Sequence, residues 1–262
     1  MRILQAGTAL LLTLACAAAS EAQQPTQAPA PGAGSDRPTI VLVHGAFADA
    51  SGWVPVITLL QERGYRVVAV QNALASLAGD VETTKRLIDA QTGPVVVVGH
   101  SYGGAVISAA AAGNPHVRAL VYVAAFAPEA GEPVAAFLQQ YPSDLGTATA
   151  PDAAGFLYVD PVKFHDVFAA DIPVAQTLAI AAAQKPIAGA IFGQSSPTAA
   201  WKTIPSWYLL TTQDHAINPA LERFYANRMH AHTTEIASSH VPFLSHPREV
   251  ADLIVQAAAG AR

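Results

Sequence analysis

Short apolar runs rich in β-branched residues recur along the chain, each followed by a segment of helical period. The first, Thr39-Ile40-Val41-Leu42-Val43, has no polar alternation, as expected of a strand buried on both faces. Over 53–63, Trp53, Val56, Ile57, Leu59 and Leu60 recur at helical spacing, and Gly64 is the stop signal. A second strand is predicted over 66–70. Asp80 then reads as the cap of a helix running to Ala90, with Val81, Leu87 and Ile88 on its apolar side. The valine run 94–98 predicts a third strand, with a helix over 102–112. Further strands are predicted over 119–125, 207–211 and 234–237, and helices over 219–229 and 247–259, each opening with proline in its first turn. Strands alternating with helices specify an α/β fold built on a mostly parallel, doubly wound sheet of about six strands. In such a sheet the reactive loops gather at the carboxyl ends of the strands.

Between residues 128 and 203 the alternation stops. Phe137, Tyr141, Phe156, Tyr158, Phe164, Phe168, Phe192 and Trp201 are scattered there among prolines. An insertion of this length after the fourth strand predicts a helical cap over the site, its aromatics mostly forming a small core of their own.

The amino terminus has a different pattern. Met1-Arg2, an apolar run from Ile3 to Ala19 and the small residues Ser20 and Ala22 have the layout of a secretory signal over 1–22. That layout implies a periplasmic or secreted protein with no integral membrane anchor. Leu14-Ala15-Cys16 offers the alternative of a lipoprotein, although Thr13 stands where an aliphatic residue belongs. Cys16 is the only cysteine, so a chain cleaved after Ala22 has neither disulfide nor thiolate chemistry. Residues 23–37 have too few apolar groups to fold and read as a disordered leader, leaving 38–262 as one domain. A net charge of −5 without a basic cluster argues against nucleic acid or an anionic membrane as partner. A small molecule remains, and oligomeric state is not legible.

The chemistry concentrates at Gly99-His100-Ser101-Tyr102-Gly103, a G-x-S-x-G pentapeptide between a buried strand and a helix. That context turns a serine on a strained elbow into a nucleophile, with the Tyr102 N–H aimed at the same space. A serine hydroxyl needs a base to take its proton and an acid to orient that base, and on such an elbow they follow in the order Ser, Asp or Glu, His. His240, directly after the sixth strand, is the candidate base, and His246 reads as a surface cap. Asp214 after the fifth strand is the favoured acid, with Glu129 after the fourth as its rival. The second oxyanion amide belongs to the loop His44-Gly45-Ala46-Phe47, on Ala46 or its neighbour Phe47, with His44 bracing the loop by hydrogen bonds. His215, His230 and His232 lack an accompanying cysteine or carboxylate cluster, so no metal and no cofactor are expected.

The segments VLVHGAFADASGW, VVVVGHSYGGAVI, LVYVAAFAPEAGE, TTQDHAINP and SSHVPFLSHP make the chain resemble the α/β-hydrolases over about residues 39–258. They are most similar to the compact branch that includes plant methylesterases, hydroxynitrile lyases and bacterial esterases. The resemblance implies a triad of Ser101, Asp214 and His240, oxyanion amides on Ala46 and Tyr102, and ester hydrolysis, while the mostly apolar, aromatic cap points to a small-to-medium hydrophobic ester. Hydroxynitrile lyases of this branch carry a lysine after the catalytic histidine and a threonine after the first-strand histidine. Val241 and Gly45 stand there instead, which argues against cyanohydrin cleavage. A lactonase, a thioesterase, a cofactor-free haloperoxidase side activity or a non-catalytic ligand binder on the same fold remain alternatives.

Overall fold

The structure is a computed structural model, and it describes residues 37–260. The signal, the possible lipid-bearing Cys16 and nearly all of the leader lie outside the described residues.

In chain order the elements are β1 (Thr39–Val43), α1 (Val54–Glu62), β2 (Val67–Val70), α2 (Leu77–Asp89), β3 (Val95–Ser101), α3 (Tyr102–Ala110) and β4 (Val117–Ala125). The inserted cap follows with α4 (Val134–Gln140), α5 (Leu145–Ala148), β5 (Thr149–Pro151), β6 (Phe156–Val159), α6 (Pro161–Phe168), α7 (Val174–Ala182) and β7 (Ile187–Ala188). The chain closes with β8 (Ser206–Thr211), α8 (Pro219–Arg228), β9 (His232–Ile236), α9 (Pro242–Ser245) and α10 (Pro247–Gly260). Six strands pair in the order β2-β1-β3-β4-β8-β9, every pair parallel. The continuous apolar runs of β1 and β3 are buried along nearly their whole length between helical layers. Helices α1 and α10 pack together on the sheet, as do α2 and α3. Strand β9 is different: His232, Thr233, Thr234 and Glu235 are exposed, and such polar side chains protect a sheet edge from pairing with other chains.

Two expectations change. Helix α2 begins at Leu77, capped by the Ser76 hydroxyl, which accepts the Gly79 N–H at 3.2 Å. Asp80 is no cap; it lies within the first turn, fully buried and bonded to partners elsewhere in the fold. The cap is also not wholly helical, because β5, β6 and β7 form a three-stranded antiparallel sheet within it.

The cap is tied to the sheet domain at several points. The Leu77 N–H donates to Gln194 Oε1 at 2.8 Å, and the Trp201 indole donates to the Pro128 carbonyl at 3.1 Å, drawing the two ends of the insertion together. Lys185 donates to the Asn72 carbonyl. Arg228 of α8 pairs with Glu132 at 2.9 Å and donates to the Ala127 carbonyl at 2.8 Å, fastening the start of the insertion.

Candidate active site

Strand β3 runs three residues past its valines and ends on Ser101, which has φ 53° and ψ −123°. A non-glycine residue with positive φ is strained, and such strain persists only where the surroundings impose it. Here they do so through the glycines. A Cβ on Gly99 would lie 2.6 Å from the Gly103 carbonyl oxygen, and one on Gly104 would lie 2.3 Å from the Phe126 oxygen. Strand β4 adapts to the elbow with a bulge: His100 pairs with Val123 and Ser101 with Ala125, leaving Ala124 between them at φ 44°. The consequence is a hydroxyl at the positive end of α3, whose first amides have no acceptor within the helix.

The loop after β1 closes over this elbow. A Cβ on Gly45 would stand 2.7 Å from Ser101 Cβ, so only glycine lets the loop approach. Phe47 takes φ 60°, again strained, and is buried with Ala46. His44 braces the loop as expected: Nδ1–H donates to the Gly45 carbonyl at 2.9 Å, and Nε2 accepts the Asn72 N–H at 3.0 Å. Burial holds its pKa below 6.5, which suits a ring that must accept. Tyr102 is anchored through its hydroxyl, which donates to Asp80 Oδ2 at 2.9 Å while the Leu74 N–H donates to Oδ1 at 3.0 Å. The aspartate read as a helix cap thus holds the residue that directly follows the elbow serine. Burial pushes the Asp80 carboxyl upward and these donors oppose the rise.

His240 follows β9 and is fully buried. Of the two candidate acids, Asp214 meets it: His240 Nδ1–H donates to Asp214 Oδ2 at 2.6 Å. Asp214 Oδ1 accepts the Ala216 and Ile217 amides at 2.7 and 2.8 Å, which fixes the carboxylate at the head of the turn into α8. Glu129 instead pairs with Lys202 at the surface. With Nδ1 protonated, His240 Nε2 is the basic nitrogen, and it makes no hydrogen bond among the described residues. Such contacts are commonly loose before substrate binds.

Three neighbours of His240 escaped the sequence reading. His100, inside the pentapeptide, donates Nε2–H to the His240 carbonyl at 2.8 Å, and the two rings lie 4.7 Å apart. Burial, then the neighbouring His240, pushes its pKa well below 6.5, so His100 is a neutral strut. From the cap, the Phe168 ring meets His240 edge-on with centroids 4.8 Å apart. Three residues on, Asp171 accepts the Ser239 N–H at 3.0 Å, the Ser238 hydroxyl at 2.9 Å and the Ser239 hydroxyl. His246 completes this cluster, its Nδ1 3.8 Å from Asp171. The cap therefore grips the two residues immediately before the histidine. Asp171→Ala strands these donors and is expected to cost about 1–3 kcal/mol, measured by denaturant unfolding. An unchanged stability would show that the grip carries no energy.

Beside this cluster lies a groove of about 220 Å³ between the Phe47 loop, α7 and α9. Phe47, Phe168, Ile180, Val241, Phe243 and Leu244 make its wall largely apolar.

The chain is similar to known proteins along most of its length. It is 26% identical over 247 residues to a probable hydrolase, R7, of a Phoma species, covering 85% of this chain and 98% of that one. Over a shorter span of 111 residues it is 35% identical to a carbendazim-hydrolysing esterase of a Nocardioides species, 37% of this chain and 46% of that one. Among solved structures, a pyrethroid hydrolase from Sphingobium faniae JZ-2 superposes with a TM-score of 0.72 at 23% identity, covering 85% of this chain and 97% of the other. The family model described as the alpha/beta hydrolase family matches residues 40–253, and with the parallel sheet and the serine elbow already in place, the chain belongs to that family.

Proposed function

We propose that this hydrolase is a serine carboxylesterase acting on small-to-medium hydrophobic esters, exported by its amino-terminal signal. The observation that carries the reading is the buried His240–Asp214 pair, with Nε2 left free, in a fold whose elbow presents Ser101. In the proposed cycle His240 Nε2 takes the Ser101 proton, and Oγ attacks the ester carbonyl. The oxyanion forms against the Ala46 and Tyr102 amides at the positive end of α3. The imidazolium, stabilised by Asp214, gives its proton to the departing alcohol, and the same nitrogen then activates water to release the acid. All of these steps use side chains and amides of this chain. The names of its relatives, which include an esterase and a pyrethroid hydrolase, support ester cleavage as the class of reaction. The apolar groove, at about 220 Å³, suits one compact hydrophobic substituent of such an ester.

The test is turnover of p-nitrophenyl acetate, butyrate and octanoate, with a serine-directed fluorophosphonate to locate the nucleophile. Hydrolysis with an acyl-length preference, and labelling confined to Ser101, is the expected result. A folded protein that neither hydrolyses these esters nor takes the label would overturn the esterase reading in favour of a ligand-binding role.

A further inference from the structure

Behind Asp214 lies a carboxyl group that the mechanism does not use. Glu222, in the first turn of α8, is fully buried, and among the described residues no basic side chain is ion-paired with it. Both of its oxygens address one residue. Oε2 accepts the Thr211 N–H at 3.1 Å, and Oε1 lies 2.9 Å from Thr211 Oγ. The same hydroxyl lies 3.2 Å from Asp214 Oδ2, the oxygen that holds His240.

Counting protons decides how this cluster is charged. Thr211 Oγ sits between two carboxyl groups and has one hydrogen to give. If both carboxyls were ionised, one of those contacts would be oxygen against oxygen with no proton between them. Two negative charges would also share a site closed to water, an arrangement that drives one of them to protonate. Asp214 is the member equipped to stay ionised, because both of its oxygens face donors: Ala216 N–H, Ile217 N–H, His240 Nδ1–H and the Thr211 hydroxyl. Among the described residues Glu222 is hydrogen-bonded to Thr211 alone, with the Asp214 carboxylate beside it and the phenol of Tyr208 on β8 nearby. Burial, then the charge of Asp214, pushes the Glu222 carboxyl well above its ordinary 4.5.

We propose that Glu222 is a protonated positioning residue: its Oε1–H donates to Thr211 Oγ, which donates in turn to Asp214 Oδ2. Its second oxygen takes the Thr211 amide, so every polar atom of the cluster is satisfied. The relay fixes the carboxylate that orients His240 without placing a second negative charge behind the imidazole. That is a neutral anchor for a charged orienter, and it rests on reading Asp214 and His240 as acid and base of the hydrolase.

The deciding experiment compares the wild type with E222Q and E222L in denaturant unfolding across pH and in p-nitrophenyl ester hydrolysis. Glutamine is neutral, and its amide can replace both hydrogen bonds. Because unfolded Glu222 ionises while the folded group keeps its proton, the wild type loses stability relative to E222Q as pH rises above the ordinary value. The ratio of their unfolding constants is expected to change about tenfold per pH unit above 4.5 until the folded group itself ionises. E222Q is expected to keep kcat within about threefold and to leave the acid limb of the pH profile in place, whereas E222L loses about tenfold or more in kcat at unchanged KM. A ratio that stays flat with pH, or an E222Q enzyme as impaired as E222L, overturns the proposal. Should E222L fail to fold, E222Q alone carries the test. If no form hydrolyses esters the esterase reading falls, and the stability comparison still decides where the proton resides.

Discussion

Ser101→Ala is expected to lower ester turnover by about four to six orders of magnitude while leaving the folded state intact. The substitution removes one oxygen. Among the described residues Ser101 Oγ makes no hydrogen bond, so no buried partner is orphaned by its loss. Alanine occupies the same φ of 53° with the same strain, and Gly45 and the neighbouring backbone keep their contacts. Denaturation midpoints of the two proteins should therefore coincide, so that the kinetic loss reports chemistry alone. A Ser101→Gly control sharpens the argument. Glycine adopts positive φ without penalty, so this variant should be equally inactive yet more stable than the alanine form by about 1 kcal/mol or more. A Ser101→Ala protein that still turns over esters at a tenth of the wild-type rate would remove Ser101 from the mechanism.

The largest expected effect on stability belongs to Gly104, the third residue of α3 beyond the Ser101 elbow. An added Cβ would stand 2.3 Å from the Phe126 carbonyl oxygen, 2.8 Å from Ala125 Cβ and 3.1 Å from the Tyr122 ring. The first is backbone that follows the β4 bulge, and Tyr208 grips both the amide and the carbonyl of Ala125, so the segment has no slack. Ordinary overpacking costs about 1–3 kcal/mol, and a backbone collision of this depth places Gly104→Ala at or beyond the top of that range. Gly146, exposed in α5 with open space where its Cβ would go, is the control, and Gly146→Ala should stay within about 0.5 kcal/mol of the wild type. Chemical denaturation of the two variants checks both statements. Comparable stabilities would mean that α3 can lift away from β4, and the tight elbow described above would be wrong.

Most of the sheet was legible in the sequence because strands buried on both faces announce themselves as unbroken apolar runs. The boundaries were less so: β3 was expected to stop at Val98 and instead reaches Ser101, since Gly99 and His100 pair with neighbouring strands although nothing in their composition says strand. Ser101, Asp214 and His240 could be named as candidates because an elbow of this kind is followed along the chain by an acid and then a histidine, and the structure brings Asp214 and His240 together. What surrounds them was not. Asp80 looks like any aspartate before a helix until Tyr102, 22 residues later, is brought onto it. His100 reaches the His240 carbonyl across 140 residues, and Asp171 reaches Ser239 across 68. Strands as short as those of the cap, two to four residues each, carry no period at all.

The double hold of the cap on the histidine loop, by Phe168 against the ring and by Asp171 on the serines before it, has a consequence for how substrate enters. A cover that swung clear would carry away the contacts that seat His240, the base of the proposed cycle. Opening and catalysis would then exclude each other. Entry through a fixed aperture avoids that conflict. Selectivity then becomes a matter of which dissolved molecule fits the doorway, and the door need not be pushed.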